Sequence, residues 1–204
     1  MPNRRQRQWF RTAVQMKGSV IPSILGRTIL CGCFGILISV FFQYQYPVSL
    51  PVLASLIPNI VLGLLLVFRT NTAYERFWEG RKLWGVIVNT TRNLARQIWI
   101  VVPANSPQSR DEKVRALHLL VAFAVATKLH LRQESANDEL AGLIAPEKFQ
   151  KLRDMNNPPL EIAFWIGDFL QQKYSQKQFD SHQLASMQDL LNILVDSLGG
   201  CERI

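Results

Sequence analysis

Between Thr28 and Phe68 the chain carries no Asp, Glu, Lys or Arg. A helix that crosses the hydrocarbon core of a bilayer needs about 20 consecutive apolar residues. The stretch is therefore long enough for two crossings and far longer than a buried core helix. The first span is expected from Pro22 to Phe42 and the second from Val48 to Phe68. As a helix rising about 1.5 Å per residue, the second would be about 31 Å long, matching a core of about 30 Å. Gln43, Tyr44, Gln45, Tyr46 and Pro47 form the turn between them, with tyrosines suited to headgroup depth. Arg27 sits near the inner end of the first span, where its long stem can snorkel to the headgroups. At the bilayer centre it would cost about 2.5–3.5 kcal/mol. A cleaved signal peptide fits poorly, because the apolar run starts late, is too long and lacks a small-residue cleavage site.

Charge sets the orientation. The net charge is +8, and no acidic residue precedes Glu75, whereas Arg4, Arg5, Arg7, Arg11, Lys17 and Arg27 all do. The turn at 43–47 has no Lys or Arg. Arg69, Arg76, Arg81, Lys82, Arg92 and Arg96 follow the second span closely. The positive-inside rule then places both flanks in the cytoplasm, leaving the turn outside. Attraction to anionic lipid is a second effect of the same charge. Nucleic acid is not expected as a partner, since no sequence pattern of a nucleic-acid-binding fold follows the basic segment.

Beyond Arg69 the pattern turns helical and water-facing. Thr70 to Val102 is expected to extend the second span as one long helix, with Pro103–Pro107 as a loop. A helix from about Arg110 to Gln133 follows, with Leu117, Val121, Ala124 and Val125 at helical spacing. Pro146–Met155 reads as a short helix, ended by the turn signal Asn156-Asn157-Pro158-Pro159. Two more helices are expected, Leu160–Gln176 and Ser181–Leu198, the second stopped by Gly199-Gly200. The expected fold is an all-α integral membrane protein. It comprises a basic N-terminal segment (1–19), a transmembrane helical hairpin (20–69) and a cytosolic helical region (70–204).

No arrangement of residues points to catalysis. His118, His130 and His182 stand far apart, with no carboxylate or cysteine at ligand spacing. Cys31 and Cys33 lie inside the first span without a matching ligand set, and Cys201 stands alone, so small packing residues are the better reading. There is no phosphate loop and no nucleophile motif. The chain is thus not expected to be an enzyme, and no cofactor or metal is implied.

Two features remain. Pro58 and Asn59 fall in the middle of the expected second span, where such residues face a bundle interior, a water-filled path or a neighbouring helix. Ile60, Leu64 and Phe68 recur at i, i+4 and i+8, a stripe that on its own marks lipid or packing contact. If several copies converged, the stripe would form an apolar constriction that gates ions by dewetting. After it comes a dense aromatic and charged run holding Arg69, Asn71, Tyr74, Glu75, Arg76, Trp78, Glu79, Arg81 and Trp84. Its spacing allows an interfacial aromatic belt with local pairs such as Glu79–Lys82, or a tight interhelical interface.

The run Phe68-Arg-Thr-Asn-Thr-Ala-Tyr-Glu-Arg-Phe-Trp-Glu-Gly-Arg-Lys-Leu-Trp-Gly85 resembles the segment after the second span of bacterial bestrophin homologues. Gly18–Pro22, Leu119–Phe123 with Leu129–Arg132, and Leu194–Ile204 resemble other bestrophin segments in the same order. The resemblance implies a homo-pentameric channel in the cell (inner) membrane, passing monovalent ions, chloride favoured, through a hydrophobic neck. The neck positions would fall on Ile60, Leu64 and Phe68. Family members continue past Glu202-Arg203-Ile204 into a Thr-Pro turn and two further membrane helices, so the chain is expected to be truncated relative to them. The alternative function is a non-conducting membrane anchor, or channel fragment, whose helices bind other proteins.

Overall fold

A computed structural model of the chain describes residues 21–46 and 56–204, and all regular structure among these residues is helical. The expectations placed on 1–19 and on the first part of the second span lie outside the described residues. The helices are α1 (Ile21–Gln43), α2 (Leu56–Val101), α3 (Pro107–Leu131), α4 (Asp138–Ala141), α5 (Pro146–Arg153), α6 (Pro158–Ser175) and α7 (Ser181–Arg203). The chain divides into two units, the first ending at Leu66 and the second running from Val67 to Ile204.

In the first unit, α1 matches the expected span to within a residue at each end. It ends in a Schellman motif. The Tyr46 amide donates to the Phe41 carbonyl and the Gln45 amide to that of Phe42, with Gln45 in the left-handed region at φ 61°. The Phe41 and Tyr46 rings meet edge to face. The described part of α1 and the start of α2 are long and apolar enough to cross a membrane, and none of those apolar windows is buried within the chain. In water such helices would leave every face unpaid by burial, so lipid or other subunits must cover them. The protein is an all-α membrane protein.

The second unit is a helical bundle. A third helix, α3, also has the length and composition of a span, but 44% of its apolar window is buried inside the bundle. Its N-terminal turns carry Arg110, Asp111, Glu112, Lys113 and Arg115. It is the central core helix. Phe123, Leu120, Ala122 and Ala126 pack with Ile87, Leu94 and Ile98 of α2, Ile162, Ile166 and Leu170 of α6, and Met187 and Leu194 of α7. The face expected from the sequence is rotated: Val121 is exposed, while Ala116, Leu119, Leu120 and Phe123 are buried. Almost every position from 117 to 126 is apolar, so periodicity there could not single out the buried side.

Helix starts follow side-chain chemistry. Ser106 caps α3 in a capping box with Ser109, ahead of Pro107. Asn157 caps α6 ahead of Pro158 and Pro159, and Asp180 caps α7 with Gln183. The stops are less conventional. Gln133 and Lys177 both stand at φ 56° after α3 and α6, each in a Schellman turn. Conversely, Gly199 and Gly200 do not stop α7, which runs on to Arg203. A Cβ at Gly200 would lie 3.0 and 3.1 Å from the Leu83 methyls of α2. The residue is small so that two helices can approach, not so that one can end.

Candidate functional site

α2 positions nearly all of the candidate residues. Pro58 and Asn59 both lie within it. In the first unit, Ile60 and Leu64 lie four residues apart on one face of α2 and are 58% and 55% exposed. Phe68, the first turn of α2 in the second unit, is likewise exposed at 60%. Among the described residues none of the three joins a buried core.

Immediately beyond, the Thr72 hydroxyl donates to the Phe68 carbonyl, satisfying a polar group within the helix. Arg69, Asn71, Tyr74, Glu75, Arg76, Trp78 and Arg81 are all exposed, with Tyr74 and Trp78 stacked nearly parallel, centroids 6.5 Å apart. Trp84 is half-buried against the bundle core. Six cations, Arg69, Arg76, Arg81, Lys82, Arg92 and Arg96, line exposed positions of this helix against the acids Glu75 and Glu79. The expected Glu79–Lys82 pair is replaced. Glu79 accepts from Arg203 at 2.9 Å, a partner 124 residues away on the last turn of α7.

Two buried lysines tie the bundle together, one at the end of α2 and one between α3 and α6. The Lys113 ammonium, buried on α3, donates to the Val102 carbonyl just past the end of α2 at 2.7 Å and lies over the Trp99 ring. It thereby satisfies an otherwise open helix-end carbonyl. Burial pushes its pKa below the usual lysine value. Lys173 of α6, 2% exposed, is bonded to Glu112 of α3 at 2.5 Å. That hydrogen bond and charge hold the Glu112 carboxyl below its ordinary pKa. His118 and His182 are exposed. His130 is not isolated: its Nε2 lies 3.0 Å from Glu202. Among the described residues no group of His, Cys, Asp and Glu is arranged to hold a metal ion. Cys31 and Cys33 are free thiols exposed on α1.

The model of the bacterial and fungal bestrophin proteins matches residues 1–204. The chain belongs to the bestrophin family. Over 199 residues it is 61% identical to a voltage-dependent anion channel-forming protein of Nostoc sp., covering 98% of this chain and 65% of that protein. Over 203 residues it is 52% identical to a protein of the same description from Synechocystis sp., covering 100% and 66%. A crystal structure of a bacterial bestrophin homolog from Klebsiella pneumoniae superposes with a TM-score of 0.75 at 28% identity, covering 89% of this chain and 67% of that one. The chain thus spans about two thirds of the length of the curated relatives it matches. Both relatives are described as forming channels.

Proposed function

We propose that this bestrophin chain is a subunit of a homo-pentameric channel that conducts chloride and other monovalent anions. Its N-terminus and bundle lie on the cytoplasmic side of the cell membrane. The observation that carries the reading is the exposure of Ile60, Leu64 and Phe68, three large apolar side chains at i, i+4 and i+8 that join no core among the described residues. Converging copies would turn this stripe into a dry ring in which an ion loses water without replacement, which is how apolar gates resist conduction. The exposed cations from Arg69 to Arg96 would raise the local anion concentration at the inner mouth. The names of the Nostoc and Synechocystis relatives, both anion channel-forming, favour anions over cations.

The test is reconstitution into liposomes with a chloride-sensitive readout, paired with native mass measurement in detergent. The expected result is chloride flux from a five-copy assembly. A stable pentamer or monomer without flux of any ion would favour the anchor reading instead.

A further inference from the structure

The last turn of α7 is held from two sides by adjacent residues. Arg203 reaches α2 at Glu79, 2.9 Å away. Glu202 turns the other way, where one carboxylate oxygen meets His130 Nε2 at 3.0 Å and the Asn157 amide at 2.9 Å. Those two partners belong to the C-terminal end of α3 and to the cap of α6. On the α2 side Gly200 packs close against Leu83, and the Ile204 side chain lies 3.9 Å from where a Cβ on Gly80 would stand. One helical turn thus ties α2, eleven to fifteen residues past Phe68, to the far side of the bundle.

We propose that this turn is a proton-sensitive clasp on α2, closed by His130. A histidine gains a full charge between about pH 8 and pH 5. Neutral His130 can offer Glu202 only an ordinary hydrogen bond, whereas the protonated ring forms a charge-assisted pair with it. The other charged groups nearby do not supply this switch. Arg203 is engaged by Glu79, and Arg132 and Glu134 face each other across 4.0 Å. Arg153 of α5 lines the same cavity of about 420 Å³ as His130 and keeps its charge throughout. The Cys201 thiol is pushed up by burial and by Glu202, so it stays protonated over this range. Asn157 does not titrate. Acidification on the bundle side therefore tightens the Glu202 anchor, steadies the turn and holds Arg203 on Glu79. This gives the bundle part of α2 a pH-dependent tether.

Hydrogen exchange of the full chain in detergent tests the clasp without relying on conduction. Amides of 76–84 and 198–203 are compared between wild type, Glu202→Gln and His130→Gln at the same pH, so that intrinsic exchange cancels. At pH 6 the wild type is expected to exchange roughly two- to fivefold more slowly than either variant, as a half-exposed ion pair allows. At pH 8 the gap should close. Equal exchange at both pH values, or a gap of the same size at both, would overturn the clasp, the second outcome meaning a merely structural contact. Chloride flux on the same samples is the separate arm. Absence of flux counts against the channel reading, while the exchange result still decides the clasp.

Discussion

Replacing Gly200 by alanine sets two effects of similar size against each other, and Gly199 beside it supplies the control. Alanine in a helix interior is favoured over glycine by about 1 kcal/mol, somewhat less near an end. A Cβ at Gly199 meets nothing within 4 Å, so Gly199→Ala should stabilise by about 0.5–1 kcal/mol. At Gly200 the new carbon would sit 3.0 and 3.1 Å from the two Leu83 methyls, well inside ordinary contact. Overpacking of this kind costs about 1–3 kcal/mol. Leu83 is only half-buried and can turn partly aside, so the low end applies. Gly200→Ala is therefore expected to fall about 1–2 kcal/mol below Gly199→Ala. For a chain of this size that is a Tm difference of about 2–8 °C. Thermal unfolding of purified protein in detergent, followed by circular dichroism, measures it. Leu83→Val should recover most of the loss at Gly200→Ala by removing the colliding methyl reach. Equal stabilisation by both alanines would refute the close approach of α7 to α2.

Three further outcomes follow from the same geometry. Lys177 occupies the left-handed position that ends α6, so Lys177→Gly should stabilise by about 1 kcal/mol in chemical denaturation, and a loss of stability would contradict the Schellman reading. Glu112→Gln should cost about 1–2 kcal/mol at pH 7 by weakening the carboxylate paired with buried Lys173, less than a fully buried pair because Glu112 keeps a third of its side chain exposed. Because Lys173 lowers the Glu112 pKa, that contribution is full above the ordinary value of 4.5 and fades as pH falls through the lowered one. Wild type and variant should thus converge in acid, and a constant difference down to low pH would contradict the pairing. In a background with Cys31, Cys33 and Cys201 replaced, Tyr44→Cys should label from the outer side and Asn105→Cys only from the inner, the reverse pattern ending the proposed orientation.

The membrane character of the chain and the order of its helices were legible because they depend on local quantities. A charge-free run from Thr28 to Phe68 and the turn signal Asn156-Asn157-Pro158-Pro159 ahead of α6 are readable within a few residues, whereas α3 starts at Pro107 under its Ser106 cap, three residues before the expected Arg110. The short α4 escaped notice, since four residues carry no periodicity. Helix ends are less legible: Gly199-Gly200, read as the stop of α7, pass through the helix, while Gln133 and Lys177, which carry no stop signal, take the left-handed position. The stripe Ile60, Leu64 and Phe68 stood out from spacing alone, but its purpose came from the resemblance in the run that follows. The ties of the bundle did not stand out at all. Glu79–Arg203, His130–Glu202 and Lys173–Glu112 join residues 124, 72 and 61 positions apart, and only the fold brings such partners together.

The pore assignment itself is tested most directly by changing Ile60, Leu64 and Phe68 to alanine together and measuring chloride flux in liposomes beside the oligomer's thermal stability. All three side chains are more than half exposed, so truncation empties no core site among the described residues. A widened, more readily wetted neck should pass chloride faster, with the assembly intact. If instead the stripe is packing between helices, three large-to-small changes cost about 2–5 kcal/mol each, and the assembly weakens with no gain in flux. Faster flux from an intact oligomer is the predicted result; lost stability with unchanged or absent flux would contradict the account.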